Sequence, residues 1–255
     1  MLRKVCRSFL GSAAALLMFC GCNSDTIYEV TTPKDGEVSN FLPHHELLAK
    51  QPAKFPFQYF YMRKKPHRYD NIYIAPVDTT YLRKSVHWEK FDQDMAKKLG
   101  SDIQGLANFM HDTYEKEIRD YPKADKPKVV NSPRLGNTAV MRTAIVAIVP
   151  TKAELNAVGI AANLLLPGIS CIVQQLAAGS IAIECKVLDA QTNEILAMYS
   201  AVFQDQAAVI NLKALSWYGS AQRNIEKAAK DTAIIFATRD YNSIQRDYPI
   251  KLIAY

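Results

Sequence analysis

Apolar positions along the chain fall into a few distinct patterns. Ile72 to Val77 is a short run rich in β-branched residues, ended by Pro76 and Asp78, and predicts a buried strand. Phe91, Met95, Leu99, Ile103, Leu106, Met110, Tyr114 and Ile118 recur every three or four residues. That spacing places them on one face of a long helix over roughly 89–119, weakened by Gly100 and Gly105 and closed by Pro122. Val140 to Val149 is nearly all apolar after Arg142 and reads as a central strand covered on both faces. Ser180 to Asp189 alternates, with Ile181, Ile183, Cys185 and Val187 on one side and Glu184 and Lys186 on the other. Glu194 to Gln204 also alternates, and Asp189 to Glu194 between them is hairpin-turn chemistry, with Asn193 expected at positive φ. A last helix over about 216–239 has Trp217, Ala221, Ile225, Ala228, Thr232 and Phe236 on its inner face.

Taken in order, these elements predict an α+β fold, β-α-β-insert-β-β-α. It is a two-layer sandwich with a four-stranded mixed sheet and the helices on one face. The first two strands, joined by a crossover helix, are expected to be parallel. The domain spans 71–240, with a C-terminal tail at 241–255. Ahead of it, residues 41–70 read as an extended aromatic and basic arm, because Pro43, Pro52, Pro56 and Pro66 forbid a long helix. Lys123 to Pro133 reads as a basic loop.

The insert, 155–177, is the anomaly. Leu155 to Ile183 holds no charged residue, whereas a stretch of that length at 22% charge should hold about six. Pro167-Gly168 splits it into two arms, each too short to span a bilayer as a helix. Two readings stay open. Both arms fold back over the sheet, or they present an apolar contact surface, with Leu164, Leu165, Leu166 and Ile169 as the contact residues.

The N-terminal pattern differs from the rest. Arg3, Lys4 and Arg7 precede an uncharged run from Phe9 to Phe19, which is the layout of a secretory signal. The run ends in Phe19-Cys20-Gly21-Cys22, which resembles the lipobox of bacterial lipoproteins, with Cys22 as the lipidated residue after the small Gly21. The resemblance implies a signal peptide over 1–21, a lipidated N-terminus with a tether over 22–40, and membrane attachment through lipid on Cys22. Asn23 stands where an aspartate would signal inner-membrane retention, so the resemblance favours the periplasmic side of the outer membrane. Loss of 1–21 removes three basic and no acidic side chains and lowers the net charge from +6 to +3. That mild excess does not support nucleic-acid binding. A chain 49% apolar and 22% charged is neither disordered nor a polytopic membrane protein. Beside Cys22, only Cys171 and Cys185 remain, too few for a disulfide framework.

Catalytic chemistry is sparse. The five histidines, His44, His45, His67, His87 and His111, show no metal-binding spacing. Asp189 and Glu194 form a carboxylate pair in sequence, but at the ends of a turn, where acidic residues serve capping and solvation. Walker, dinucleotide-binding and nucleophile-elbow patterns are missing, and nothing calls for a cofactor.

Ser39-Asn40-Phe41-Leu42, the blocks Ala178 to Glu184 and Asp189 to Ala197, and the helix from Trp217 to Ala233 resemble a family of bacterial outer-membrane lipoproteins of unknown function. Asn193 replaces the glycine expected in the turn, and His44-His45 departs from the pattern at the opening. The family implies no activity and no active site. Two function classes follow. One is a lipid-anchored, non-catalytic binding or scaffold module with a protein partner or a second copy, including a subunit of an assembly or secretion complex that uses the insert as its contact. The other is an envelope-modifying enzyme, which needs a concave pocket with convergent polar groups.

Overall fold

The computed structural model describes residues 38–64, 68–85, 93–123, 126–134, 136–148, 181–203, 219–238 and 244. The strands are β1 (Ala49–Lys50), β2 (Tyr59–Met62), β3 (Asn71–Ile74), β4 (Lys128–Val130), β5 (Thr138–Ile148), β6 (Ile181–Asp189) and β7 (Ile195–Phe203). The helices are α1 (Thr80–Ser85), α2 (Gln93–Asp120) and α3 (Gly219–Ala237). A 3-10 turn spans His45–Leu47.

The seven strands form one mixed sheet in the order β1-β2-β7-β6-β5-β3-β4. β3 runs parallel to β5 and to β4, and the other neighbours are antiparallel. The crossover from β3 through α1 and α2 back to β5 therefore gives the parallel pair expected from the sequence.

The expected four-stranded sheet is overturned. The four central strands are present, but β2 extends the sheet beyond β7, β1 pairs with β2, and β4 adds a parallel edge beside β3. The three extra strands are two, four and three residues long, too short for an alternation to declare itself. They lie among prolines 52, 56, 66, 127 and 133, which signal loops when read along the sequence. In the fold Pro52, Pro56, Pro127 and Pro133 stand outside the paired positions, which is where edge strands tolerate them.

Period-two alternation distributes the apolar residues to two cores. Ile181, Ile183, Cys185 and Val187 of β6, with Tyr199, Ala201 and Phe203 of β7, face the cluster built with Ile103, Met110, Tyr114 and Ile118 of α2 and Ile225, Ala228 and Ala229 of α3. The opposite face carries Ala144, Val146, Ala147, Ala182 and Met198, and among the described residues neither α2 nor α3 contributes to this cluster. Phe41, Leu42 and Leu48 of the leading segment pack there instead, with Val38, Tyr61 and Tyr81 at the margin. Residues 38–48 are thus a strap across the sheet's second face. α2 runs without a break through Gly100 and Gly105.

Candidate functional site

The strap is fastened by charged residues of β6. Glu184 and Lys186 point away from the helices, as their alternation with Ile183 and Cys185 requires. The register sets Glu184 beside Ala144 of β5 and Ser200 of β7. Glu184 is fully buried. Its Oε1 accepts the Ser39 backbone N–H at 2.8 Å, and its Oε2 accepts the Ser39 hydroxyl at 2.5 Å. The Ser39 hydroxyl oxygen in turn accepts the Phe41 N–H at 3.1 Å. Lys186 Nζ donates to the Phe41 carbonyl at 2.7 Å and sits 4.1 Å from the Phe41 ring centroid. The ring meets Tyr81 edge-on at 5.4 Å.

Burial pushes the Glu184 carboxyl up to about 7, and the Ser39 bonds and the Lys186 charge pull it back only in part. Lys186 is displaced downward, by burial first and then by Arg142, its cross-strand neighbour on β5. A buried carboxylate with this much desolvation is costly unless its oxygens are satisfied, and Ser39 supplies a donor to each. The arrangement binds a chain segment. Its hydrogen-bonding capacity is taken up inside the fold.

A second polar group lies in the helix-side core. Tyr114 Oη and Tyr199 Oη are 2.7 Å apart, Tyr199 Oη is 3.3 Å from Thr232 Oγ1, and Thr232 donates to the Ala228 carbonyl at 2.8 Å. Phe57 stacks face to face on Tyr199 at 3.8 Å. Burial pushes Tyr114, Tyr199 and the adjacent Cys185 thiol far up, so all three stay neutral. Cys185 is a free, buried thiol without nucleophilic character at neutral pH.

The hairpin residues Asp189 and Glu194 are turned to different partners. Asp189 Oδ1 accepts the Gln191 and Thr192 N–H groups at 2.8 Å each, and Oδ2 accepts the Tyr69 hydroxyl at 2.7 Å. The turn N–H bonds, Thr192 first, hold the Asp189 carboxyl down at about 2. Glu194 pairs with Arg63 at 2.7 Å. Asn193 has φ 57, the positive value expected of it.

His44 Nδ1 lies 3.1 Å from Glu46 Oε1 in the exposed 3-10 turn. His111 Nε2 lies 3.1 Å from the Ile74 carbonyl. Among the described residues no group of three His, Cys, Asp or Glu side chains could hold a metal ion. No described helix is long and apolar enough to cross a membrane. Cys22, Cys171, Leu164, Leu165, Leu166 and Ile169 lie outside the described residues.

Sequence reasoning placed Glu184 and Lys186 on the face opposite Ile183 and Cys185 and the apolar residues of the leading arm against the domain, but did not join the two. It also missed Ser39 as the partner. The available signal was Glu184 itself, the first charge after 29 uncharged positions, within a strand whose neighbours are apolar.

A family model described as a protein of unknown function, DUF3313, matches residues 37–232. No curated protein matches the chain. Two solved structures of PelC dodecamers from Paraburkholderia phytofirmans are similar in part, one of them a point variant. They are 8% and 9% identical, with TM-scores of 0.35 and 0.36. They cover 71% of this chain and 96% and 98% of their own. Likeness at that level carries no functional argument.

Proposed function

We propose, from the premise that the chain belongs to the DUF3313 family of proteins of unknown function, that it is a lipid-anchored, non-catalytic binding or scaffold module. In this reading it stands on the periplasmic side of a bacterial outer membrane. Lipid on Cys22 anchors it, and the uncharged insert 155–177, with Leu164, Leu165, Leu166 and Ile169, is its contact surface.

The observation that carries the reading is the fastening of Ser39 to Glu184. Ser39 follows Cys22 by only 16 intervening residues, and the fully buried carboxylate of Glu184 holds that point of the chain. A tether joined to the middle of a sheet transmits position from the membrane to a rigid body, which is what a scaffold requires. Among the described groups with displaced protonation, Glu184, Lys186, Asp189, Tyr69, Tyr114 and Tyr199 bond to groups of the same chain, and this also favours a structural role for them.

The test is expression of the full chain and of Cys22→Ala, followed by membrane flotation and crosslinking. The full chain is expected to float and to crosslink to an envelope protein or a second copy. Cys22→Ala is expected to stay in the precursor form or appear in the soluble fraction. Leu165→Asp is expected to keep the thermal melt and lose the crosslinks. Flotation of Cys22→Ala in processed form, or crosslinks unchanged by Leu165→Asp, contradicts the reading.

A further inference from the structure

The strap lies over the row Ala144, Glu184 and Ser200, which the register sets side by side on β5, β6 and β7. One row nearer the hairpin, Arg142 of β5 stands directly opposite Lys186 of β6. Directly paired residues share a face, so both side chains leave the sheet on the same side. Arg142 is the one exposed residue among the eleven of β5, and Lys186 is half-buried beside it. Like charges directly opposite each other on neighbouring strands cost stability. The cost registers at Lys186, where Arg142 is, after burial, the largest influence holding the ammonium below its ordinary range.

The fold places no counter-charge on the pair. Among the described residues neither Arg142 nor Lys186 forms an ion pair. Glu184, the next residue of β6 on this face, turns both carboxylate oxygens to Ser39. Asp78, bridged to Ala144 of β5, turns Oδ1 to the Thr80 N–H at 2.7 Å. Lys186 Nζ gives one of its three donors to the Phe41 carbonyl. Arg142 makes no side-chain hydrogen bond among the described residues, and its five N–H donors are open.

We propose that Arg142 and Lys186 together bind the phosphate group of a phosphate monoester on the open side of the sheet, the guanidinium taking two of its oxygens and the ammonium a third. The chemistry selects this class. A planar guanidinium fork meets two oxygens of one phosphate or carboxylate. Two opposed cations call for more than a single negative charge, and a phosphate monoester carries about −1.5 to −2 at neutral pH, whereas a carboxylate carries one. The monoester is either a soluble molecule or the headgroup of a lipid. The inference goes beyond the anchored-module reading and holds whether or not Cys22 carries lipid.

The experiment uses the isotopically labelled full chain in dodecyl maltoside micelles, titrated with inorganic phosphate and, as control, with chloride at equal ionic strength. The Arg142 Nε–Hε resonance, identified by its loss in Arg142→Gln, is expected to move saturably with phosphate and not with chloride. Lys186→Gln is expected to weaken the affinity about tenfold, the scale of one charge-assisted bond. Lys186 also holds Phe41, so Arg142→Gln gives a second readout that leaves the strap intact. In chloride its melting midpoint is expected to equal or exceed the native one, because the like-charge pair is gone. Phosphate is expected to raise the native midpoint further than that of Arg142→Gln, which reports the general salt effect. A second arm adds phosphatidic acid, a monoester, or phosphatidylglycerol, a diester, to the micelles. Shifts with both inorganic phosphate and phosphatidic acid support the site for any monoester, and a shift with phosphatidic acid alone assigns it to a lipid headgroup. Phosphatidylglycerol as effective as phosphatidic acid overturns the monoester. An Arg142 resonance that neither phosphate nor phosphatidic acid moves overturns the site, as does unchanged affinity in a folded Lys186→Gln.

Discussion

Ser39 gives both its backbone N–H and its hydroxyl to the two carboxylate oxygens of Glu184, across 145 positions of sequence. The two residues belong to the two most distinctive blocks of the chain, the opening Ser39-Asn40-Phe41-Leu42 and the strand Ile181 to Glu184. Their contact converts the leading segment into part of the sheet's second core.

Glu184 makes stability depend on pH in a direction opposite to that of most carboxylates. Its folded pKa of about 7 lies above the ordinary 4.5, so the folded state holds the proton more tightly than the unfolded state. Its favourable contribution is complete below about 4.5 and is lost as the pH rises through about 7, a difference of about 3 kcal/mol. Lys186 lowers the Glu184 value directly, and Arg142 and Asp78 act in turn on Lys186. Thermal melts between pH 4.5 and 8 are expected to show the loss. Glu184→Gln is expected to flatten the profile and to be the more stable protein at pH 8, because the amide keeps an acceptor for the Ser39 N–H and offers a donor to its hydroxyl.

Ser39→Ala removes one donor from a buried carboxylate. The expected cost at pH 8 is about 1–3 kcal/mol, and the Glu184 pKa is expected to rise further, since the Ser39 hydroxyl is one of the groups holding it down. Chemical denaturation and carboxyl NMR titration check the two effects separately. A titration unmoved by Ser39→Ala contradicts the contact.

Gly105 lies exposed within α2, and a Cβ built there meets nothing within 4 Å. Gly105→Ala is therefore expected to stabilise the protein by about 0.5–1 kcal/mol, the helix-propensity difference with no steric offset. A destabilised melt would show that the exposed face of α2 is in contact with something at that point.

Asn193, at φ 57, occupies the conformation that glycine visits freely. Asn193→Gly is expected to be neutral or stabilising by up to about 1 kcal/mol, because relief of strain outweighs the added freedom of the unfolded chain only slightly. A larger loss in the melt would assign a structural bond to the Asn side chain.

Long, periodic elements were legible in the sequence, and short or composite ones were not. The i, i+3, i+4 spacing from Leu99 to Ile118 located α2, and the alternation of Ile181, Ile183, Cys185 and Val187 located β6 and its helix-facing side. Asn193 was legible because positive φ has a narrow residue preference. β1, β2 and β4 were not, since strands of two to four residues among prolines carry too few positions to show a period. The cover over Glu184 was not legible either. Alternation tells which residues share a face but not what lies on that face, and the partner, Ser39, is fixed only by tertiary packing. Cys22 was singled out by resemblance to a lipobox and the insert residues by local composition, and all of them lie outside the described residues.

The most direct measurement on the strap is native-state hydrogen exchange at the Ser39 and Phe41 amides. Both are bonded within the strap's attachment, Ser39 to Glu184 and Phe41 to the Ser39 hydroxyl. In the native protein at pH 8 both are expected to exchange with protection close to that of the β6 amides. In Glu184→Ala both are expected to lose that protection while β6 keeps it. Exchange of the Ser39 amide at the rate of an unstructured peptide in the native protein would contradict a tether fastened to the sheet, and with it the scaffold built on that fastening.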